Sequence, residues 1–234
     1  MRVVEVLPAT GASYDLATPV GKAAIAELYA LEGDYVRLNM ITTLTGAASG
    51  SDGTSETLSS RVDRAILGVI RSLADVVIVG AQTVRVEGYL MPRATRLAVV
   101  TATGDLGGHR LGDGEGVLLV CPADHADAVQ ERADLPKAEV VPVPGSGDLE
   151  PAAIVAALGE RSLGRIVNEG GPRLAGLFAT AGAIDEYCVT VAPVLSPAQH
   201  PFLTLPSGTG PHTAPVGLLV DDAAFSYLRL RPCS

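Results

Sequence analysis

Short apolar stretches alternate with longer amphipathic ones along most of the chain, a pattern typical of strands that alternate with helices. The fully apolar stretch at 76–79 predicts a strand buried on both faces, as in the middle of a parallel sheet. Further strands are predicted at 35–41, 97–101, 117–120, 139–143, 165–168 and 187–192, with a last, antiparallel one at 225–230. The pattern therefore predicts an α/β fold with a largely parallel central sheet, helices on both faces and an antiparallel C-terminal edge.

Between these strands, apolar residues recur at the spacing of helices. The clearest helix begins after Ser60, because Ser60 and Asp63 have the spacing of a capping box and the apolar residues that follow share one face. Other helices are predicted at 20–31, 122–132, 151–158 and 172–181, the third of them capped by Asp148. Residues 1–33 are interpreted as an N-terminal arm and residues 34–234 as a single domain.

A Gly-Gly turn stands where one predicted strand leads into a helix. Gly170 and Gly171 have no Cβ, so backbone N–H groups there can approach a ligand closely, and Pro172 suits the first position of a helix. Unpaired N–H groups and the helix dipole both favour an anion at such a place, and a pyrophosphate would fit it. The alternative is an ordinary turn between a strand and a helix, and the turn alone does not decide between the two.

Three predicted strands lead into unusual polar or glycine-bearing segments, after Ile41, Val79 and Val167. Ligands of open α/β sheets lie beyond the carboxyl ends of the strands, so we expect these segments to face one cleft. A line of arginines that includes Arg64 and Arg71 follows one side of the helix after Ser60. By itself, this line is more typical of a helix face exposed to solvent.

Composition narrows the classes of function. Hydrophobic residues make up 47% of the 234 residues, which predicts a sizeable core, and the net charge of −9 argues against nucleic-acid binding or attachment to an anionic membrane. No apolar stretch is long enough for a membrane span, and no signal peptide is expected. The three scattered cysteines favour a reducing cytoplasm, and the four isolated histidines predict no metal site.

Several segments, in their order along the chain, resemble the reductase domain of bacterial riboflavin biosynthesis, the C-terminal half of a deaminase–reductase with the dihydrofolate-reductase fold. These segments are 36–46, 63–79, 79–87, Asn168-Glu169-Gly170-Gly171-Pro172, 184–186 and 192–195, and the likeness covers most of 34–232. The loop at 52–55 and the N-terminal arm resemble the actinobacterial branch of free-standing pyrimidine reductases. The resemblance implies a dihydrofolate-reductase-like fold with one reductase domain at 34–234.

The resemblance also implies NADPH-dependent reduction of 5-amino-6-(5-phosphoribosylamino)uracil to its ribitylamino form. It implies cofactor contacts from Thr42, Thr57, Thr83, Glu87, Thr101, Gly170, Gly171, Pro172, Arg173 and Leu174. Substrate contacts are implied for Asn39, Ser55, Arg71 and Glu169, with Arg71 at the ribose 5-phosphate. Glu169 is in addition the candidate catalytic group, which would orient or protonate the substrate.

The resemblance also implies a homodimer, since members of this family are usually homodimers. We expect the interface near 225–230 and 193–205, because an uncovered edge strand invites pairing.

Two departures from the family pattern leave the substrate open. This chain has Thr45 where the family usually has Asp, and Asn39 where bacterial members often have Lys. The alternatives are a reductase of the same fold that acts on a pterin, a folate-like compound or another heterocycle, and a nucleotide-binding protein without turnover. Arg71 and Ser55 favour a phosphorylated substrate. The sequence shows no evident basic pair for the 2′-phosphate of NADPH beyond Arg93, Arg96 and Arg110, so it does not by itself distinguish NADPH from NADH.

Overall fold

Strands and helices alternate along the chain as the hydrophobic pattern predicts. The computed structural model describes residues 1–93, 95–145, 149–197, 200–205 and 210–233. Its strands are β1 (Arg2–Leu7), β2 (Ser13–Asp15), β3 (Tyr35–Thr43), β4 (Val76–Gly80), β5 (Arg96–Val100), β6 (Val117–Pro122), β7 (Glu139–Val143), β8 (Arg165–Asn168), β9 (Glu186–Ala192), β10 (Thr213–Asp221) and β11 (Ser226–Pro232). Its helices are α1 (Pro19–Tyr29), α2 (Arg61–Ser72), α3 (Ala81–Glu87), α4 (Ala126–Arg132), α5 (Pro151–Gly159) and α6 (Pro172–Thr180).

These strands form one sheet in the order β2-β1-β10-β11-β9-β3-β8-β4-β5-β6-β7. From β9 to β7 all neighbouring strands are parallel. The side chains from Val76 to Val79 of β4 are fully buried, which agrees with their continuous apolar sequence. The predicted α/β fold with a largely parallel sheet is confirmed.

At the other end of the sheet the pairing is antiparallel. β11 pairs with β9 on one side and with β10 on the other, and β10 pairs with β1. An antiparallel C-terminal strand is confirmed, but its predicted place at the edge is wrong. The hydrophobic pattern does not predict β10, because Pro215 and Gly217 interrupt the alternation where the register shifts.

Residues 1–33 are joined to the rest of the molecule through the sheet and the core. β1 pairs with β10, and α1 packs against α2 with Ile25 and Tyr29 in the core. Thr18 caps α1, because its hydroxyl accepts the N–H of Gly21 at 3.0 Å. The division into an arm and a reductase domain stays a prediction. In the structure, residues 1–33 contribute strands to the same sheet as the rest of the chain.

Helices cover both faces of the parallel part, as predicted. One apolar cluster contains Ile66 and Ile70 of α2, and the other contains Ile154 of α5 and Phe178 of α6. The predicted start of α2 is also confirmed, because the N–H of Asp63 donates to Ser60 Oγ at 3.0 Å.

Two segments differ locally from the prediction. Pro122 ends β6 instead of opening a helix, and α4 begins only after a 3₁₀ turn at Ala123–His125. A proline is tolerated at such a strand position because its missing N–H removes no required ladder bond there. The polar segment after Val79, for which the pattern predicts no element, forms α3. The predicted cap Asp148 lies outside the described residues.

Candidate active site

The end of β3 and the segments after β4 and β8 meet in one cleft of about 1960 Å³ at the carboxyl ends of the parallel strands. This confirms the expectation that these three segments face one cleft. The volume exceeds that of most sites for a single small molecule, so the cleft has room for two ligands side by side.

The Gly-Gly turn between β8 and α6 forms part of the cleft wall. Gly170 and Gly171 have φ values of +69° and +45°, which L side chains rarely adopt. A Cβ on Gly171 would lie 2.5 Å from Thr83 Oγ1, and one on Gly170 would lie 3.0 Å from Met40 Sδ. No side chain of Gly171 can cap α6, which begins at Pro172. The two glycines therefore let the turn pack closely against Thr83 and Met40, and they leave the N-terminus of α6 without a side-chain cap.

Three hydrogen-bonded polar side chains lie on the wall of the same cleft. Arg71 of α2 donates from Nε to Glu169 Oε1 and from Nη2 to Glu169 Oε2, each at 2.6 Å. Tyr89 donates its hydroxyl to Glu169 Oε2 at 2.5 Å and accepts from Arg71 Nη2 at 2.8 Å. The Glu169 side chain is only 8% exposed, so these donors replace water around its carboxylate.

Burial and hydrogen bonding fix the protonation of two members of this cluster. Burial disfavours the charge of Arg71, but the hydrogen bonds and charge of Glu169 outweigh it and raise the pKa of the guanidinium above its ordinary value. Burial, together with the charge of Glu169, raises the pKa of Tyr89 well above the usual value of a phenol. Arg71 is therefore charged, and Tyr89 protonated, throughout the neutral range.

A second contact joins the loop before α2 to the end of α3. Ser55 donates its N–H to Glu87 Oε1 and its hydroxyl to Glu87 Oε2, both at 3.1 Å. Burial raises the pKa of Glu87, while the hydrogen bonds from Ser55 lower it in part. The resemblance assigns Ser55 to the substrate and Glu87 to the cofactor, and the structure bonds the two side chains to each other.

Most of the predicted site residues line the cleft: Asn39, Ser55, Arg71, Thr83, Glu87, Thr101, Glu169, Gly170, Gly171, Pro172, Arg173 and Leu174. Thr42 and Thr57 are not part of its lining in the described ranges. The Thr42 side chain is buried and its hydroxyl donates to the carbonyl oxygen of Thr43 at 3.2 Å, whereas Thr57 donates to Asp52 Oδ1 at 3.0 Å. Both hydroxyls are therefore held by neighbouring residues.

The sequence pattern gives no reason to single out Arg85, Tyr89 or His200, which also line the cleft. Arg85 and Tyr89 lie in the polar segment after β4. The sequence there shows only that a glycine follows a buried strand, which does not single out either residue. Their side chains line the cleft from α3 and from the turn after it. That arrangement depends on tertiary contacts.

Within the described ranges, no group of three or more His, Cys, Asp or Glu side chains is arranged to hold a metal ion. None of the helices in that part of the chain combines the length and apolar character needed to cross a bilayer. The free thiols of Cys121 and Cys188 are buried, and that of Cys233 is exposed.

Comparison with known proteins identifies relatives for most of the chain. The family model of the RibD C-terminal domain matches residues 34–208. The riboflavin biosynthesis protein RibD of two Mycobacterium tuberculosis strains is 30% identical over 166 residues, which are 69% of this chain and 42% of the relative. The chain thus spans less than half the length of these curated relatives.

Solved structures share the fold at lower identity. A pyrimidine reductase-like protein of Corynebacterium diphtheriae has a TM-score of 0.71 and 21% identity, with 93% of this chain and 96% of that chain covered. A deaminase/5-amino-6-(5-phosphoribosylamino)uracil reductase of Thermotoga maritima has a TM-score of 0.70 and 20% identity, with coverages of 86% and 57%. These structures share the fold, and the match over residues 34–208 shows that the chain belongs to the RibD C-terminal domain family.

Proposed function

We propose that the chain is an NADPH-dependent reductase that converts 5-amino-6-(5-phosphoribosylamino)uracil to its ribitylamino form. One observation carries the proposal: a single cleft joins a glycine-bearing anion site to the Arg71–Glu169–Tyr89 cluster, in a member of the RibD C-terminal domain family. The anion site suits a dinucleotide, and the cluster suits a polar sugar phosphate. The related structure from Thermotoga maritima is named for this reductase activity.

The residues at the glycine turn fit the pyrophosphate of a dinucleotide. Gly170 and Gly171 line the cleft directly before the N-terminus of α6, where backbone amides and the helix dipole favour an anion. Pro172, Arg173 and Leu174 form the first turn of that helix. Thr83 donates to the carbonyl oxygen of Gly170 at 3.3 Å and so helps to hold the turn. When bound, NADPH would supply the hydride for C1 of the ribose in its open, imine form, and water in the cleft would supply the proton for the imine nitrogen.

Two arginines of the cleft support NADPH rather than NADH. Arg93 and Arg110 line the cleft together with Arg85 and Thr101, so guanidinium groups are available for a 2′-phosphate. Arg96, the remaining sequence candidate, donates to Glu139 at 2.9 Å and is not among the lining residues. We therefore assign the 2′-phosphate to the side of the cleft that bears Arg93 and Arg110.

Glu169 orients the substrate rather than protonating it. A carboxylate offers about four lone-pair sites, and in Glu169 three of these accept from Arg71 and Tyr89. The remaining site, on Oε1, can accept one N–H or O–H of the substrate. Arg71 keeps Nη1 without a hydrogen-bond partner among the described residues, and this group can take an oxygen of the ribose 5-phosphate. Asn39 and Ser55 add polar contacts from the same wall.

A second candidate is a reductase of the same fold that acts on a pterin, a folate-like compound or another heterocycle. Thr45, which stands where the family usually has Asp, leaves this alternative open. Its hydroxyl donates to the carbonyl oxygen of Ser196 and accepts the Ser196 N–H at 3.2 Å, and Thr45 is not among the residues that line the cleft. A nucleotide-binding protein without turnover is the third alternative.

A test of turnover separates these candidates. We expect NADPH absorbance to fall when the purified chain is mixed with 5-amino-6-(5-phosphoribosylamino)uracil, and to stay constant with dihydrofolate. NADH should react at least about tenfold more slowly, because a charge-assisted contact to the 2′-phosphate is worth about 1.5–3 kcal/mol. Turnover of dihydrofolate alone would support the second candidate, and NADPH binding without any turnover would support the third.

We also propose a homodimer that forms through one face of the antiparallel strands. Val4 pairs with Val220, and Leu218 pairs with Leu228, so these four side chains lie on the same face, where each is partly exposed. The opposite face carries Leu219 and Tyr227, which belong to the core with α1 and α2. Because β11 is paired on both sides, the edge-to-edge contact predicted at 225–230 is not available. This partly exposed apolar face is a better candidate for the interface.

Leu228→Arg should convert the dimer into a monomer, because an unpaired charge in an apolar interface has no partner to offset its loss of water. Light scattering coupled to gel filtration measures the mass. Val20→Arg is the matched control, since Val20 is 80% exposed on α1 and should keep the dimer. A monomeric unmodified protein would contradict the dimer, and a dimeric Leu228→Arg variant would contradict this interface.

The cytoplasmic location remains a proposal that rests on the scattered, free cysteines. The expected lack of nucleic-acid and membrane partners likewise rests on the net charge of −9.

A further inference from the structure

We propose that Tyr89 is a positioning residue of the reductase, which holds Arg71 and Glu169 in the orientation in which they meet the substrate. The proposal rests on the reductase function above. The Tyr89 hydroxyl bridges the ion pair, since it donates to Glu169 Oε2 at 2.5 Å and accepts from Arg71 Nη2 at 2.8 Å. The centroid of its ring also lies 5.6 Å from Cζ of Arg71, within reach of a cation–π contact.

Tyr89 is anchored independently of the two residues that it bridges. Arg71 belongs to α2 and Glu169 follows β8, whereas Tyr89 follows α3. Gly88 ends α3 in the left-handed conformation with φ of 55°, and the N–H of Tyr89 donates to the carbonyl oxygen of Val84 at 3.4 Å. Tyr89 therefore connects a third element to the ion pair, and this connection restricts rotation of the carboxylate.

The hydroxyl also determines which oxygen of Glu169 is available to a ligand. Oε2 accepts from Arg71 and from Tyr89, whereas Oε1 accepts only from Arg71 among the described residues. With both sites of Oε2 occupied, a donor on the substrate is directed to Oε1. Without the Tyr89 hydroxyl, Oε2 regains an open site in a carboxylate that is only 8% exposed. Water or the substrate would then compete for it, and the reacting carbon would be less well placed for hydride transfer.

Tyr89→Phe tests this role, because it removes the hydroxyl and keeps the ring. We expect kcat with the pyrimidine substrate to fall at least about tenfold, while the Kd of NADPH stays within about twofold. The primary isotope effect with NADPH deuterated at the transferred position should rise, because hydride transfer becomes more rate-limiting. Partial unfolding would lower kcat but leave the isotope effect unchanged.

Tyr35→Phe is the matched control for loss of a buried tyrosine hydroxyl. Tyr35 is 5% exposed and donates to the carbonyl oxygen of Leu73 at 2.7 Å, but it is not among the lining residues of the cleft. We expect this variant to keep both kcat and the isotope effect. If Tyr89→Phe also keeps both, or if its kcat falls with an unchanged isotope effect, the positioning role is overturned.

A measurement without turnover separates this proposal from the proposed function. In the unmodified protein, the Nε–H of Arg71 donates to Glu169 and should exchange slowly with solvent in ¹⁵N NMR spectra, with Arg71→Lys used to assign the signal. Tyr89→Phe should speed this exchange at least about tenfold, since the ion pair opens more often, whereas Tyr35→Phe should not. If the unmodified protein fails to reduce the pyrimidine, the proposed function fails, and this exchange rate alone decides the inference. An exchange rate unchanged in Tyr89→Phe overturns it.

Discussion

Gly171→Val is expected to abolish NADPH binding, with a rise in Kd of at least about 100-fold, or about 2.8 kcal/mol. The glycine has φ of 45° and ψ of 162°, a conformation that is essentially restricted to glycine. A Cβ there would lie 2.5 Å from Thr83 Oγ1, so a branched side chain would displace the turn at which we place the pyrophosphate. Titration of the variant with NADPH, followed by fluorescence or calorimetry, measures the loss.

A matched control separates loss of the ligand site from backbone strain. Gly182 follows the other end of α6 with φ of +65°, and a Cβ built there meets nothing within 4 Å. Gly182→Val therefore introduces a strained residue beside the same helix but away from the cleft, and it should bind NADPH normally even if its melting temperature falls. Normal NADPH binding by Gly171→Val would place the pyrophosphate elsewhere.

Much of the fold can be predicted from the sequence, because its strongest local signals agree with the tertiary structure. The continuous apolar run of β4 requires burial on both faces, and the Ser60–Asp63 cap fixes the start of α2. β10 is not predicted, because Pro215 and Gly217 interrupt the alternation of apolar and polar residues that indicates a strand. The strand is formed by its pairing with β1 and β11. That pairing joins residues from opposite ends of the chain, and no local pattern encodes it.

The candidate site is predictable to the extent that backbone geometry determines it. The turn at Gly170 and Gly171 is evident from sequence, because only glycine adopts such conformations readily. The partners of long side chains are not evident. Arg71 is predicted at a phosphate, yet two of its nitrogens donate to Glu169, and Tyr89 completes the cluster from an element that the pattern does not predict. Such contacts depend on how α2, α3 and β8 are placed relative to one another.

Arg71→Ala is expected to destabilise the protein and to weaken substrate binding. Arg71 pairs with Glu169 in the folded protein and, as we propose, also binds the 5-phosphate of the substrate. Its removal leaves the Glu169 carboxylate, 8% exposed, with Tyr89 as its remaining donor in the cluster. Breaking a fully buried ion pair costs about 3–5 kcal/mol, and because the Arg71 side chain is 25% exposed we expect about 2–3 kcal/mol less free energy of unfolding. Denaturant unfolding measures this loss, and NADPH affinity should be retained by the folded fraction.

Arg64→Ala and a double variant show whether loss of the Arg71–Glu169 ion pair causes the fall in the free energy of unfolding. Arg64 lies on the same helix, but its ion pair with Glu56 is exposed, so its removal should cost less than about 0.5 kcal/mol. Arg71→Ala combined with Glu169→Gln should recover part of the stability, because the neutral amide no longer leaves a buried charge unpaired. If Arg71→Ala and Arg64→Ala lose the same free energy of unfolding, the Arg71–Glu169 ion pair has no special structural role. A variant that is destabilised but keeps its affinity for the pyrimidine would confine Arg71 to holding Glu169 and assign the 5-phosphate to another basic group in the cleft.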